Sequence, residues 1–132
     1  MAEKLHFELV SPERLILSES VDLVTVPGKE GDIGVLAGHA PLMTTLRPGV
    51  INVDDAGRPQ RRIFVRGGFA EVTSAGLTVL AEFTVPIEEL DRATIDREIG
   101  YATEDVNDAK SEEARQAAQE KLDHLRQLLE AV

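Results

Sequence analysis

Residues 4 to 85 of this chain alternate apolar and polar positions with a period of two, the pattern of strands that bury one face. Leu5, Phe7 and Leu9 alternate with His6, Glu8 and Val10. Leu15 and Leu17 flank Ile16, and Val21, Leu23, Val24, Thr25 and Val26 follow. Ile51 with Val53, Ile63 with Val65, then Phe69, Glu71 and Thr73, and last Leu77, Val79 and Ala81 extend the scheme. Turn residues separate the runs: Ser11-Pro12, Pro27-Gly28, Pro48-Gly49, Asp54 to Gly57, Gly67-Gly68 and Ser74 to Gly76. Short strands at this spacing predict an all-β sandwich or barrel whose facing aliphatics form the core. Gly67-Gly68 fits either a tight hairpin turn or a bulge where two backbones approach closely, and the residues leave both open.

After Pro86 the period becomes helical. Pro86 to Leu90 reads as a helix entry, with Glu88 and Glu89 favoured at the positive end of the macrodipole. Leu90, Ile95, Ile99, Ala102 and Val106 make a thin apolar face, weakened by Gly100 and Thr103. Asn107-Asp108 reads as a turn, and Ser111 is placed to cap a second helix ahead of Glu112 and Glu113. Ala114, Ala117, Ala118, Lys121, Leu122, Leu125, Leu128 and Leu129 then follow helical spacing. The predicted fold is thus a mainly β N-terminal sandwich, residues 1 to 86, followed by a C-terminal α-helical hairpin, residues 87 to 132. Burying alanine gains little at about 25 cal/mol per Å². The helical pair is therefore too thin to stand as a domain and must pack on the sandwich, on a partner, or on each in turn. The residues alone read as a fixed pair.

Between these patterns lies Val26 to Gly49, VPGKEGDIGVLAGHAPLMTTLRPG, which holds half of the chain's 10 glycines and half of its six prolines. Glycine permits positive φ and proline fixes φ, so the stretch specifies a shaped loop with short strands. Ile33, Val35, Leu36, Leu42 and Met43 want burial, which a flexible linker would not offer. The loop carries His39 with Glu30 and Asp32, but no constellation for chemistry surrounds them. There is no phosphate-loop pattern, no cysteine and no nucleophile elbow, and one histidine with scattered acids is short of a metal site. His39 therefore reads as a structural or interface residue.

Composition narrows the class. A chain of 132 residues makes one domain plus an appendage. With aromatics at 4% and no tryptophan, the core must be aliphatic. A net charge of −10 argues against nucleic acid or an anionic lipid surface as direct partner, and fits docking on a basic or mixed protein surface. The charge is uneven, with 13 acids against six Lys/Arg from Ile87 onward. No signal peptide and no membrane-length apolar run is read, so membrane association is expected only through a partner.

The string EGDIGVLAGHAPLMTTLRPG closely resembles the characteristic loop of the epsilon subunit of bacterial F-type ATP synthase, whose mitochondrial counterpart is called delta. The family pattern runs EGxxGxxxGHxPxxTxxxPG, and every fixed position is present. LHFELVSPER resembles the family's first strand and turn, and RRIFVRGGFAEVTSAGLTVLAE its Gly-Gly hairpin with the strand that follows. The resemblance runs continuously over residues 4 to 86 and more weakly to the end. It implies a non-catalytic rotor subunit on the central stalk that couples rotation of the c ring to the catalytic head through gamma. By the same resemblance His39 matches the histidine facing gamma, and Glu30, Gly31 and Asp32 match the loop meeting the c ring. Asp32 is expected to be an exposed acid able to pair with a basic c loop. The helices are implied to be an arm that extends and contracts, touching alpha and beta and regulating hydrolysis. The implied location is peripheral, at the cytoplasmic face of the bacterial inner membrane, without direct insertion.

Some members of that family bind ATP through an [IL]DxxRA motif opening the first helix, with basic residues on the second. Here Arg92 and Ala93 match, Glu89 replaces the aspartate, Glu88 replaces the apolar residue, and the basic residues reduce to Lys121 and Arg126. The extra carboxylate repels a triphosphate, so no cofactor and no ATP binding is expected. Two other classes compete with the rotor subunit. A small β-sandwich enzyme lacks a constellation: His6, His39 and His124 fall in three elements, and Asp54-Asp55 reads as a solvated turn. A β-sandwich adaptor with an acidic helical arm is separated by its failure to assemble with gamma.

Overall fold

In the computed structural model, which describes residues 3–131, strands fill the unit that ends at Pro86 and helices the unit that begins at Ile87. The strands are β1 (Leu5–Val10), β2 (Leu15–Val21), β3 (Leu23–Gly28), β4 (Gly31–Val35), β5 (Leu42–Thr45), β6 (Gly49–Asp54), β7 (Arg61–Thr73) and β8 (Gly76–Pro86). They hydrogen-bond in the order β2-β1-β8-β7-β6-β3-β4, with β5 also on β7. Every pair is antiparallel except β1 with β8. Curled on itself, this sheet is the expected β-sandwich. The expected alternation selects its interior: Leu5, Phe7 and Leu9 of β1, Val24 and Val26 of β3, Ile51 and Val53 of β6, and Leu77, Val79 and Ala81 of β8 are buried in one core that is mostly aliphatic but holds Phe7. Full burial of such a Val, Leu or Phe side chain stabilises by about 1.5–3 kcal/mol.

The alternation slips in the middle of β7, as the register of β1 with β2 does between Leu9 and Val10, where Leu15 is left exposed. Ile63 and Val65 face the core before Gly67-Gly68, but Ala70 and Val72 face it afterwards. Phe69 and Glu71 are only half-buried and Thr73 is exposed, so the expected inward set is displaced by one residue. The cause is backbone: Gly67 and Gly68 have φ of 73° and 98°. A Cβ on Gly68 would lie 1.8 Å from the Leu80 carbonyl oxygen of β8. This is close backbone approach inside a strand. The β7–β8 turn lies further on, at Ser74-Ala75, where Thr73 pairs with Gly76.

The second unit opens with a 3₁₀ turn, Ile87–Glu89, and not with the helix expected there. Helix α1 (Arg92–Asp108) starts later because Asp91 caps it, accepting from the Ala93 N–H at 3.0 Å and the Thr94 hydroxyl at 2.9 Å. It runs through the Asn107-Asp108 turn expected from sequence; the turn is Ala109 to Ser111. Ser111 then caps α2 (Glu112–Ala131), its Oγ accepting from the Ala114 N–H at 3.1 Å. The two helices pack on one another. Leu122, Leu125 and Leu128 of α2 are buried, as are Ile95 and Ala102 of α1, whereas Ala114 and Ala117 are exposed. The alanine end of the expected stripe is thus a solvent face, and leucine carries the contact.

Candidate interface on the Val26 to Gly49 segment

Strands β3 and β4 form a hairpin in which Gly28 pairs with Gly31, leaving Lys29 and Glu30 at its tip. Gly31 adopts a φ of 146°, and Glu30, Gly31 and Asp32 are all exposed. The hairpin is fastened sideways to the chain after β5. Lys29 N–H donates to the Thr45 carbonyl at 2.9 Å, Arg47 N–H to the Pro27 carbonyl at 3.0 Å, and Gly28 bridges Leu46. Arg47 Nη1 donates to the Gly28 carbonyl at 2.6 Å, and Nη2 pairs with Asp32 Oδ1. Asp32 is therefore an exposed acid, as expected, and it already holds one surface ion pair within the chain, with Arg47.

His39 lies in the link between β4 and β5, half-buried. Its N–H donates to the Leu36 carbonyl at 3.1 Å, closing the turn over Ala37-Gly38. Its ring Nδ1–H donates to the Ala40 carbonyl at 2.7 Å, which makes Nε2 the acceptor nitrogen of the neutral ring. A cavity of about 430 Å³ is lined by His39, Leu36 and Pro41 with His6 and the β7–β8 turn. A second, of about 480 Å³, is lined by Lys29 to Ile33 and by Leu42 to Thr45.

Burial within this segment is split. Val35 is buried, and Ile33 and Leu42 pack against the core. Leu36 and Met43, read as wanting burial, are instead 56% and 61% exposed. Period-two counting could not find this, since it marks apolar residues and not which of them faces a partner. Leu36 lines the first cavity and Met43 the second.

The other candidate groups do not assemble a site. Asp54 accepts from the Gln60 amide at 2.9 Å, and Asp55 pairs with Lys4 at 2.5 Å and Arg58 at 3.8 Å. That turn is a cross-strand ion network and not a solvated acid pair. Glu19 joins it through Arg61 and through Arg58 at 3.5 Å, and the hydrogen bond from Arg61 holds its carboxyl below the usual carboxylate value. His6 Nε2 meets Glu8 at 3.1 Å. No group of three or more metal-binding side chains occurs among the described residues.

In the helical unit Glu89, Arg92, Lys121 and Arg126 are all exposed. Lys121 and Arg126 are five residues apart on α2, which turns them about 140° around the helix, so they do not share a face. The [IL]DxxRA motif also fails to close in either register. With Arg92-Ala93 on RA, Glu88-Glu89 stand at [IL]D; with Leu90-Asp91 on [IL]D, Thr94-Ile95 stand at RA. Asp91 is meanwhile occupied as the cap of α1.

The model of the ATP synthase delta/epsilon chain β-sandwich domain family matches residues 4–87. Among curated relatives, the ATP synthase epsilon chain of Parvibaculum lavamentivorans is 64% identical over the full length of both chains. That of Mesorhizobium japonicum is 48% identical, covering 100% of this chain and 98% of its own. Among solved structures, a chain in the Euglena gracilis mitochondrial ATP synthase OSCP/F1/c-ring structure superposes with a TM-score of 0.82. Its identity is 27%, and the match covers 97% of this chain and 81% of that one. A chain in the central stalk/c-ring structure of Tetrahymena thermophila mitochondrial ATP synthase shares the fold, with a TM-score of 0.66 at 14% identity, covering 98% of this chain and 96% of that one.

Proposed function

The chain belongs to the delta/epsilon family of ATP synthase, and from that membership we propose a non-catalytic central-stalk subunit of an F-type proton-translocating ATP synthase. Its task is coupling. The Val26 to Gly49 segment meets two partners at once, the gamma subunit at His39 and the c ring at Glu30, Gly31 and Asp32. The single observation that supports this is the state of that segment. It is held to the sandwich by strand pairing and by Arg47, yet it presents exposed Leu36 and Met43 beside two grooves. A stiff body with two contact surfaces transmits torque without doing chemistry.

No helix among the described residues is long and apolar enough to cross a membrane. We assign the chain to the cytoplasmic face of the bacterial inner membrane, peripherally, through the complex. The helical hairpin is the regulatory arm in this reading. It reaches alpha and beta and modulates hydrolysis; what supports this is its small set of buried apolar side chains, Ile95 and Ala102 on α1 with Leu122, Leu125 and Leu128 on α2.

Co-expression with a gamma subunit, followed by size-exclusion chromatography, is the test. A stable complex is expected, weakened by His39→Ala while the melting temperature of the isolated chain stays nearly unchanged. Elution of the chain alone would favour the adaptor reading. Normal assembly of His39→Ala with a large loss of melting temperature would put His39 in a structural role.

A further inference from the structure

The chain has no cysteine and two methionines, and Met1 lies outside the described residues. Met43 is therefore the one sulfur atom described, and at 61% it is the most exposed large apolar side chain among the described residues. Its exposure is built into the sheet. Strand β5 lies against β7 with Leu42 opposite Val72 and Met43 opposite Glu71. Leu42 packs against the core, so strand alternation turns Met43 to the outer face. There it lines the 480 Å³ groove between β5 and the β3–β4 tip. Backbone joins the two walls of that groove, through the Lys29 N–H on the Thr45 carbonyl and the bridge of Gly28 with Leu46. The thioether thus stands on a fixed frame, open to water and to small solutes.

We propose that Met43 is an oxidation site: a hydroperoxide converts its thioether to the sulfoxide in the unassembled chain, and the product weakens the c-ring contact. With hydrogen peroxide, the sulfur attacks one peroxide oxygen and an S–O bond forms as the O–O bond breaks. The departing hydroxide takes the proton of the transferred hydroxyl and leaves as water. Sulfur gives up two electrons and the peroxide accepts them. A thioether is soft and adaptable, and gains by leaving water against a partner. The sulfoxide is polar and must give up its hydration to do the same. The ladder that holds β5 is backbone, so the change acts on binding and not on the fold. A partner seated in the groove shields the sulfur, which confines the reaction to the free chain. This rests on the reading of the segment as the c-ring contact.

The test oxidises the full chain with hydrogen peroxide, locates the added oxygen by peptide mass spectrometry, and measures affinity for a detergent-solubilised assembly of gamma with the c ring. Oxidation at Met43 is expected to weaken binding about tenfold, the loss expected when one side chain gives up its apolar burial. Methionine sulfoxide reductases for both epimers should restore it. The melting temperature of the free chain should barely move. Met43→Leu should bind equally before and after peroxide, and Met43 should oxidise more slowly in the assembly than in the free chain. A third variant, Glu30→Cys labelled with a bulky maleimide, probes the contact itself, since the chain has no other thiol.

Unchanged affinity after complete oxidation of Met43 would overturn the proposal, as would an equal loss in peroxide-treated Met43→Leu. If the maleimide label blocks binding in either case, the contact reading stands and only the proposal falls. Normal binding of the labelled chain, with Met43 oxidising as fast in the assembly as outside it, overturns the contact reading and the proposal with it.

Discussion

Replacing Gly68 by alanine tests whether the bend in β7 depends on backbone proximity. The new Cβ would sit 1.8 Å from the Leu80 carbonyl oxygen and 2.8 Å from the Leu80 carbonyl carbon. An ordinary carbon–oxygen contact is about 3.3 Å, so the overlap is about 1.5 Å. Both clashing atoms are backbone, and no rotamer relieves them. Strands β7 and β8 must part by roughly that amount, which carries nearby ladder bonds past hydrogen-bonding distance. Losing two such bonds costs about 1–3 kcal/mol. The φ of 98° adds about 1–2 kcal/mol for a residue with a Cβ. The expected total is about 2–5 kcal/mol.

Gly67 is the internal control. Its φ is 73°, and its Cβ would meet the side chain of Glu82, whose exposed carboxyl can swing aside and whose Cβ, at 3.2 Å, must give by only a few tenths of an ångström. Gly67→Ala should therefore cost only the backbone term, about 1–2 kcal/mol. Urea denaturation of both variants reads the difference, about 1–3 kcal/mol. In a domain of this size that corresponds to roughly 4–24 °C in melting temperature. If the two variants fell within about 0.5 kcal/mol of each other, the close approach at Gly68 would not be what shapes the strand.

Three further outcomes are expected. The carboxyl of Glu19 is held below its usual value by its hydrogen bond from Arg61 and then by the charges of Arg61 and Arg58; its stabilisation is present above the ordinary carboxylate range and is lost as pH falls through the depressed folded value. Glu19→Gln should remove part of the acid loss in urea midpoint, at most about 1 kcal/mol for so solvent-screened a pair, and an identical acid profile in the variant would contradict that assignment. Residues 1 to 86 alone should melt cooperatively, since their core is complete without the helices; a broad transition with dye-binding apolar surface would show the helices to be part of that core. Calorimetric titration of the full chain with ATP should give no saturable heat below the millimolar range, whereas a micromolar dissociation constant would mean that Arg92 converges with Lys121 or Arg126 on phosphate after all.

The fold class was legible in the chain because burial in a half-exposed strand imposes period two, and helical burial imposes a different one. Leu5, Phe7 and Leu9, or Leu77, Val79 and Ala81, announce their strands without any knowledge of their neighbours. So does Ser111, because a cap acts within a few residues of itself. What the pattern could not carry is contact between residues far apart in sequence. The slip at Gly67-Gly68 exists because the backbone at Leu80 arrives there. The pairing of Asp32 with Arg47 spans 15 residues, and that of Glu19 with Arg61 spans 42. Leu36 and Met43 carry the same apolar signal as Val35, and only the path of the chain decides which of the three is sheltered. A local pattern says that a side chain prefers to leave water; whether another part of the fold comes to cover it is a property of the whole packed chain.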